Sequence, residues 1–250
     1  MILENLLGGF DPQIAVLLLG TSFVASFITV AIGIGGGSLL LAMLASFMPP
    51  AALIPVHGVI QLGSGALRAA VLLRSTYWAP LAAFTLGSAI GAAFGGMVLV
   101  NLPPEFVLIG VGLFVIYNVL SRPPAWLSRM PLLTGLISSF LTMFFGATGV
   151  FVANFTKSLS LTRESHVATH AVLMTLQHGL KIVVFGLLGF AYGPWIGFIV
   201  AMIAAGFLGT LAGRSVLIRL SDQVFKRALD IVLILISLRL IWQGVSSLLA

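Results

Sequence analysis

Residues 30–40 read Val30-Ala31-Ile32-Gly33-Ile34-Gly35-Gly36-Gly37-Ser38-Leu39-Leu40, so a cluster of glycines interrupts an apolar run. Backbone N–H groups that such a break frees inside a membrane must find partners in the protein or on a ligand, because lipid offers none. A helix that starts after the glycines also turns the positive end of its dipole towards the break. The stretch therefore predicts a broken membrane helix whose amides can bind an anion.

The composition of the whole chain is that of a membrane protein. Of its 250 residues, 60% are hydrophobic and 7% are charged, whereas soluble domains contain about 25% charged residues. So few charged side chains cannot cover a soluble domain, which excludes a soluble enzyme or a nucleic-acid-binding protein despite the net charge of +6. The chain has no cysteine, which excludes a disulfide scaffold, a thiolate metal site and a cysteine nucleophile.

Ten apolar segments follow one another along the chain, and five of them are clearly long enough to cross a bilayer. The segments are Ile14–Ile34, Ser38–Met48, Ala51–Leu73, Tyr77–Val100, Phe106–Leu120, Leu132–Phe145, Val150–Leu159, Ser165–Leu188, Trp195–Gly213 and Arg227–Leu249. Lys and Arg in short loops mark the cytoplasmic side of a membrane. The regions that contain them, which we expect to be cytoplasmic, are 68–74, 122–129, 157–163 and 214–227. The connections 101–105 and 189–194 and both termini lack them and are expected outside.

The two halves of the chain resemble each other, since rare residue types recur at a fixed spacing. Pairs that lie 113 positions apart are Gly33 and Gly146, Gly36 and Gly149, His57 and His170, and Arg68 and Lys181. The second glycine break is Gly146-Ala147-Thr148-Gly149. Because the basic loops place the halves in opposite orientations, we predict an all-α polytopic membrane protein with two inverted repeats. Each repeat is a glycine-tipped helical hairpin followed by three transmembrane helices, in residues 1–120 and 131–250, with a cytoplasmic linker at 121–130.

The stretch 30–40, the prolines Pro49 and Pro50 about ten residues later, and a polar-dotted helix with His57 and Gln61 resemble the first-repeat signature of the TauE/SafE sulfite exporter family. This family is also called the toluene sulfonate uptake permease family. The break at 146–149 is a looser match, because the family often has more glycine there. The resemblance covers essentially the whole chain and implies a multi-pass permease in the inner membrane of a bacterium that moves small sulfur oxyanions or organosulfonates. Composition and spacing alone predict a transporter of small anions.

Twelve residues at the two breaks and on the helices that follow them are candidates for binding the anion. They are Gly35, Gly36, Gly37, Ser38, His57, Gln61, Thr148, Gly149, Asn154, His170, Gln177 and Lys181. Glycine amides and the hydroxyl and amide side chains can donate hydrogen bonds to a sulfonate oxygen. His57 and His170 can also carry a proton that is coupled to the anion, because histidine titrates near neutral pH. Lys181 lies deep in its segment, where a charged residue marks function by default.

A second set of small residues has a structural role in this prediction. Its members recur every four residues and are Gly87, Gly91 and Gly95, repeated by Ala205, Gly209 and Gly213. Small residues at this spacing let two membrane helices pack closely. We therefore expect these positions to form helix contacts outside the anion site.

The predicted function is secondary transport of small sulfur-containing anions, such as sulfite, thiosulfate or organosulfonates, by alternating access. Export is the expected direction, since an inside-negative potential favours the outward movement of a monoanion by about 2.3 kcal/mol per 100 mV. The alternatives are an anion channel of the same fold and an intramembrane enzyme that pairs Ser64 with a histidine. We expect no enzymatic activity, cofactor, metal or nucleic-acid partner. Coupling to a proton or another cation and assembly as a homo-oligomer are both compatible with the sequence.

Overall fold

Ten α-helices account for most of the residues that the structure describes. The structure, a computed structural model, describes residues 8–32, 35–98, 103–121, 126–216 and 222–249. The helices are α1 (Pro12–Ile32), α2 (Gly36–Ala45), α3 (Pro50–Val71), α4 (Leu81–Val98), α5 (Pro104–Leu120), α6 (Pro131–Phe145), α7 (Gly149–Ser158), α8 (Arg163–Leu187), α9 (Ile196–Val216) and α10 (Asp222–Leu249). Short 3-10 turns lie at Leu73–Ser75, Leu127–Arg129 and Gly193–Trp195. The described residues contain no β-strand, and the prediction of an all-α protein is confirmed.

Six helical stretches in the described part of the chain are long and apolar enough to cross a membrane, one more than the sequence analysis counted. They are Pro12–Ala31, Pro50–Val71, Leu81–Val98, Arg163–Leu187, Gly193–Arg214 and Leu229–Leu249. Helices α2, α5 and α6 are apolar but shorter, and α7 has 10 residues. The chain is therefore a multi-pass helical membrane protein. Of the six long stretches, those of α3 and α8 are the least apolar, because these two helices carry most of the polar candidates.

The two least apolar helices, α3 and α8, pack against each other at the centre of the protein. Their contacts run in opposite order along the two helices, so the pair is antiparallel. A Cβ atom added at Gly58 would lie 2.7 Å from Lys181 Cε, and one added at Gly65 would lie 2.9 Å from Thr175 Oγ1. Glycine thus lets α3 approach the large polar side chains of α8 closely.

Two outer helix pairs use the small residues that the sequence analysis assigned to packing. A Cβ atom at Gly91 of α4 would overlap the carbonyl oxygen of Leu136 on α6. In the same way, a Cβ atom at Gly209 of α9 would overlap the carbonyl oxygen of Phe23 on α1. The expected packing face is confirmed, and it joins each half of the chain to the first helix of the other half.

Both predicted glycine breaks are confirmed. Helix α1 ends at Ile32 and α2 begins at Gly36, after Gly35 with a φ of +102° that favours glycine. Gly33 and Ile34 lie outside the described residues. Helix α6 ends at Phe145, Gly146 has a φ of +73°, and α7 begins at Gly149. Each break therefore turns the chain back on itself between two packed helices.

The close packing of α4 on α6 predicts the effect of adding one methyl group. We expect Gly91→Ala to lower the stability of the protein by about 1–3 kcal/mol, because the new Cβ must push the two helices apart. Gly20→Ala is the matched control on an exposed helix face, since a Cβ at Gly20 meets no atom within 4 Å. We expect the control to leave stability unchanged or to raise it slightly through better helix propensity. Thermal unfolding of both variants in detergent measures the difference, and equal midpoints would contradict the packing argument.

Candidate functional site

A cavity of about 920 Å³, called the central cavity below, lies between the α3–α8 pair and the two glycine breaks. Its α8 wall consists of Arg163, His166, His170, Met174 and His178, and its α3 wall of Gln61, Gly65 and Arg68. Among the described residues, the lining contains none from α3 before Gln61 and none from α8 after His178. The central cavity therefore extends from one end of the central helix pair to about its middle and stops there.

Both short helices begin at the wall of the central cavity. Gly37 and Ser38 from the start of α2 and Gly149 and Val150 from the start of α7 line it. The first N–H groups of a helix have no acceptor within the helix, and neither helix start has a side-chain cap hydrogen bond. The two helix starts thus turn amide donors and positive dipole ends to one space, an arrangement that favours an anion.

The two repeat-related histidines hold the helix starts in place. The Nε2 atom of His57 lies 3.2 Å from the carbonyl oxygen of Gly37. The Nε2 atom of His170 lies 3.3 Å from the carbonyl oxygen of Gly149. A carbonyl oxygen only accepts, so Nε2 carries the hydrogen in both rings. Of the two, His170 lines the central cavity and His57 lies buried behind its wall.

A buried amide supports the second break from behind. The Nε2 group of Gln177 donates to Thr148 Oγ1 at 2.6 Å and to the carbonyl oxygen of Ser138 at 3.1 Å. Its Oε1 atom accepts a hydrogen bond from Ser138 Oγ at 3.3 Å. Gln177 and Thr148 are fully buried and do not line the central cavity. They fix the backbone of the break and leave the amides of α7 to face the space beyond it.

The twelve sequence candidates divide into two groups. Those that line the central cavity are Gly35, Gly37, Ser38, Gln61, Gly149, Asn154 and His170. Those that lie behind its wall are Gly36, His57, Thr148, Gln177 and Lys181. Gly36 is there for packing, because a Cβ atom at this position would overlap the carbonyl oxygen of Ala25 and Thr29 Oγ1.

The lining also contains charged residues that were not among the candidates. Arg68, Lys157 and Arg163 are the basic residues of the described lining, and Asp230 is its carboxylate. Arg163 donates a hydrogen bond to the carbonyl oxygen of Ala31 near the end of α1. The excess of basic side chains gives the cavity wall a positive potential, which attracts anions.

Asn118 of α5 is a functional candidate that the sequence analysis missed. Its Nδ2 group donates to the carbonyl oxygen of Ala147 inside the second break at 2.9 Å, and the residue lines the central cavity. Its Oδ1 atom is buried without a hydrogen-bond partner in the described structure. The signal in the sequence was a single amide near the end of the apolar segment Phe106–Leu120.

Taken together, the fold and the site define a class: a multi-pass helical membrane protein with a positively charged internal cavity between two helix breaks. The model of the family described as sulfite exporter TauE/SafE matches residues 18–240 of the chain. The chain therefore belongs to this family of membrane transporters, and the resemblance seen in the sequence is confirmed. No curated protein and no solved structure was found to match the chain.

Two glutamines on the central helix pair have different expected roles. Gln177 supports the second break, whereas Gln61 lines the central cavity. Gln177→Leu should lower stability by about 1–3 kcal/mol, because it leaves the buried Ser138 carbonyl and Thr148 hydroxyl without their partner. Gln61→Leu should leave stability nearly unchanged, since Gln61 is half-buried at the cavity wall. Thermal unfolding in detergent compares the two variants, and a larger loss in Gln61→Leu would contradict these roles.

Proposed function

We propose that the protein is a secondary transporter that moves small sulfur-containing anions, such as sulfite, thiosulfate or organosulfonates, by alternating access. The observation that carries this proposal is the central cavity, where two uncapped helix starts meet three basic side chains and which is closed at one end. Family membership supports the same substrate class. The protein acts in the inner membrane of a bacterium as a multi-pass permease.

The donors around the central cavity fit the chemistry of a sulfur oxyanion. Such an anion carries several oxygens that accept hydrogen bonds and no hydrogen-bond donor at its sulfur group. The amides of Gly37, Ser38 and Gly149 and the side chain of Asn154 are donors on opposite walls. Arg68 adds a permanent positive charge. A cavity of about 920 Å³ leaves room for the organic part of a sulfonate as well as for sulfite.

Alternating access is supported by the shape of the central cavity. Ser121, Lys157 and Arg163 line it and belong to the connections that are expected to be cytoplasmic. A cavity that admits the anion from this side and stops at the middle of the helix pair is the loading state of an exporter. Rocking of the two inverted repeats, residues 1–120 and 131–250, then opens the other side.

The extent of the central cavity argues against a channel, and the surroundings of Ser64 argue against an enzyme. A channel needs a continuous path, whereas the described lining stops at Gln61 on α3 and His178 on α8. An enzyme that uses Ser64 needs a hydrogen bond between this residue and a histidine. Ser64 Oγ is buried without a partner in the described structure, and His57 Nε2 is bonded to Gly37. We therefore favour a transporter over both.

A panel of anions tests the proposed substrate class. We expect sulfite, thiosulfate or sulfoacetate to raise the thermal unfolding midpoint of the purified protein in detergent, because a ligand that binds the native state stabilises it. Chloride at the same concentration and ionic strength should have a smaller effect. If no sulfur anion shifts the midpoint, the proposed substrate class is wrong.

Two serines on the same helix test the location of the site. Ser38 lines the central cavity at the start of α2, whereas Ser46 at the end of α2 bonds to the carbonyl oxygen of Ala42 at 3.1 Å. We expect Ser38→Ala to weaken anion binding by about tenfold, the value of one hydrogen bond to a charged group. Ser46→Ala should bind as the unaltered protein does. Titration calorimetry measures both affinities. Equal anion affinities in the two variants would show that the anion does not bind at the start of α2.

A further inference from the structure

At the end of the central cavity that is marked by His178 lies a cluster of three basic side chains: His178 itself, His57 and Lys181. All three are buried, with exposed fractions of 0%, 2% and 0%. Lys181 Nζ, His57 Nδ1 and both ring nitrogens of His178 have no hydrogen-bond partner in the described structure. Since buried polar groups are almost always paired, four such nitrogens at one place require an explanation.

The geometry connects this cluster to the central cavity through one residue. His178 lines the cavity and lies three residues before Lys181 on α8, so the two side chains are about one helical turn apart. The rings of His57 and His178 meet edge to face, with centroids 6.1 Å apart. On the other side, the Lys181 side chain lies against Gly58, where a Cβ would be 2.7 Å from Cε. The Lys181 side chain is thus packed against α3, and it lies one helical turn beyond His178, the last α8 residue of the described cavity lining.

Asp230 is the carboxylate of the described cavity lining, but no acidic group among the described residues acts electrostatically on any of the three cluster residues. The titratable groups that act electrostatically on His178 are Lys181 and His170 on α8 and His57 and Arg68 on α3. The described parts of α4 and α9, which also pack against the central pair, add none. A buried ammonium ion without a counter-charge is strongly unfavourable, whereas neutral lysine avoids this penalty. An anion in the central cavity provides the missing negative charge.

We propose that Lys181 takes up one proton each time an anion enters the central cavity, so that anion binding and protonation of Lys181 stabilise each other. This inference rests on the proposed function. The proton comes from the solvent and forms a bond with the Nζ lone pair, and it returns to the solvent when the anion leaves. By linkage, the anion increases the proton affinity of Lys181 by the same factor by which the proton increases the anion affinity.

The histidines are less suited to this task than the sequence analysis expected. His57 and His170 each donate Nε2–H to a backbone carbonyl, and a second proton on His57 Nδ1 has no acceptor in the described structure. Lys181, in contrast, is neutral in the empty protein and becomes protonated when the anion binds. For a monoanion, the accompanying proton cancels the charge that is moved, so the outward concentration gradient of the anion drives the proposed export. A dianion still carries one net negative charge outward, which the inside-negative potential favours.

Titration calorimetry with thiosulfate tests the inference on the full-length protein in detergent. Thiosulfate is the anion of a strong acid, so every proton taken up near neutral pH binds to the protein. Titrations at one pH in two buffers of different ionisation enthalpy give the number of protons, and we expect about one per thiosulfate. In that pH range, affinity should fall about tenfold for each unit of increase in pH, as linkage to one proton requires.

Three variants assign the proton to Lys181. Lys181→Met removes the charge at similar length, and we expect weaker binding and no proton uptake. Lys181→Arg keeps a permanent charge, so this variant should bind thiosulfate without proton uptake. It also provides the test if the methionine variant does not fold. Arg74→Gln removes an exposed basic residue and should behave as the unaltered protein.

The outcomes separate this inference from the proposed function. If the unaltered protein binds thiosulfate without proton uptake, or if either Lys181 variant still takes up a proton, the inference is overturned and the anion site remains. If thiosulfate does not bind at all, the thiosulfate part of the proposed function fails and the inference fails with it.

Discussion

Backbone amides inside a membrane need acceptors, and this requirement shapes the protein. Two helices are broken within the fold, and at each break the carbonyl side is satisfied by protein groups. Arg163 donates to the carbonyl oxygen of Ala31 near the end of α1. Asn118 donates to the carbonyl oxygen of Ala147 in the second break. The amide side of each break faces the central cavity without a cap. Carbonyl acceptors at both breaks are thus paired within the protein, whereas donors remain at the helix starts, as binding of the proposed anion requires.

Local sequence features were sufficient to predict the helices and the breaks. Glycine clusters interrupt apolar runs at Gly35–Gly37 and Gly146–Gly149, and the chain turns at both places. The small-residue face of α4 could be predicted for the same reason, because a four-residue spacing places its members on one side of a helix. The helices, the breaks and the packing face depend on residues that are close together in the sequence, so they can be predicted from one sequence.

The composition of the site depends on helix rotation and on distant contacts, which the sequence does not specify. On α8, four of the five residues that line the central cavity recur every four positions: His166, His170, Met174 and His178. Gln177 lies on the same helix but is turned towards α6, so its polarity stabilises the second break. Asn118 joins the site only because α5 packs near that break. The four-residue spacing of these residues was the signal in the sequence for the cavity-lining face of α8. The candidates were chosen by pairing equivalent positions of the two repeats, which does not use this spacing.

The two helix starts differ in how tightly their first glycine is enclosed. At Gly36 a methyl group would overlap the backbone of α1, whereas at Gly149 the nearest atom to an added Cβ is His170 Nε2 at 3.6 Å, an ordinary contact distance. The start of α2 is therefore fixed, and the start of α7 can take an added methyl group. A transporter built on this plan can change the size of its cargo at one wall without disturbing the other, so substrate range and structural integrity are separable in this fold.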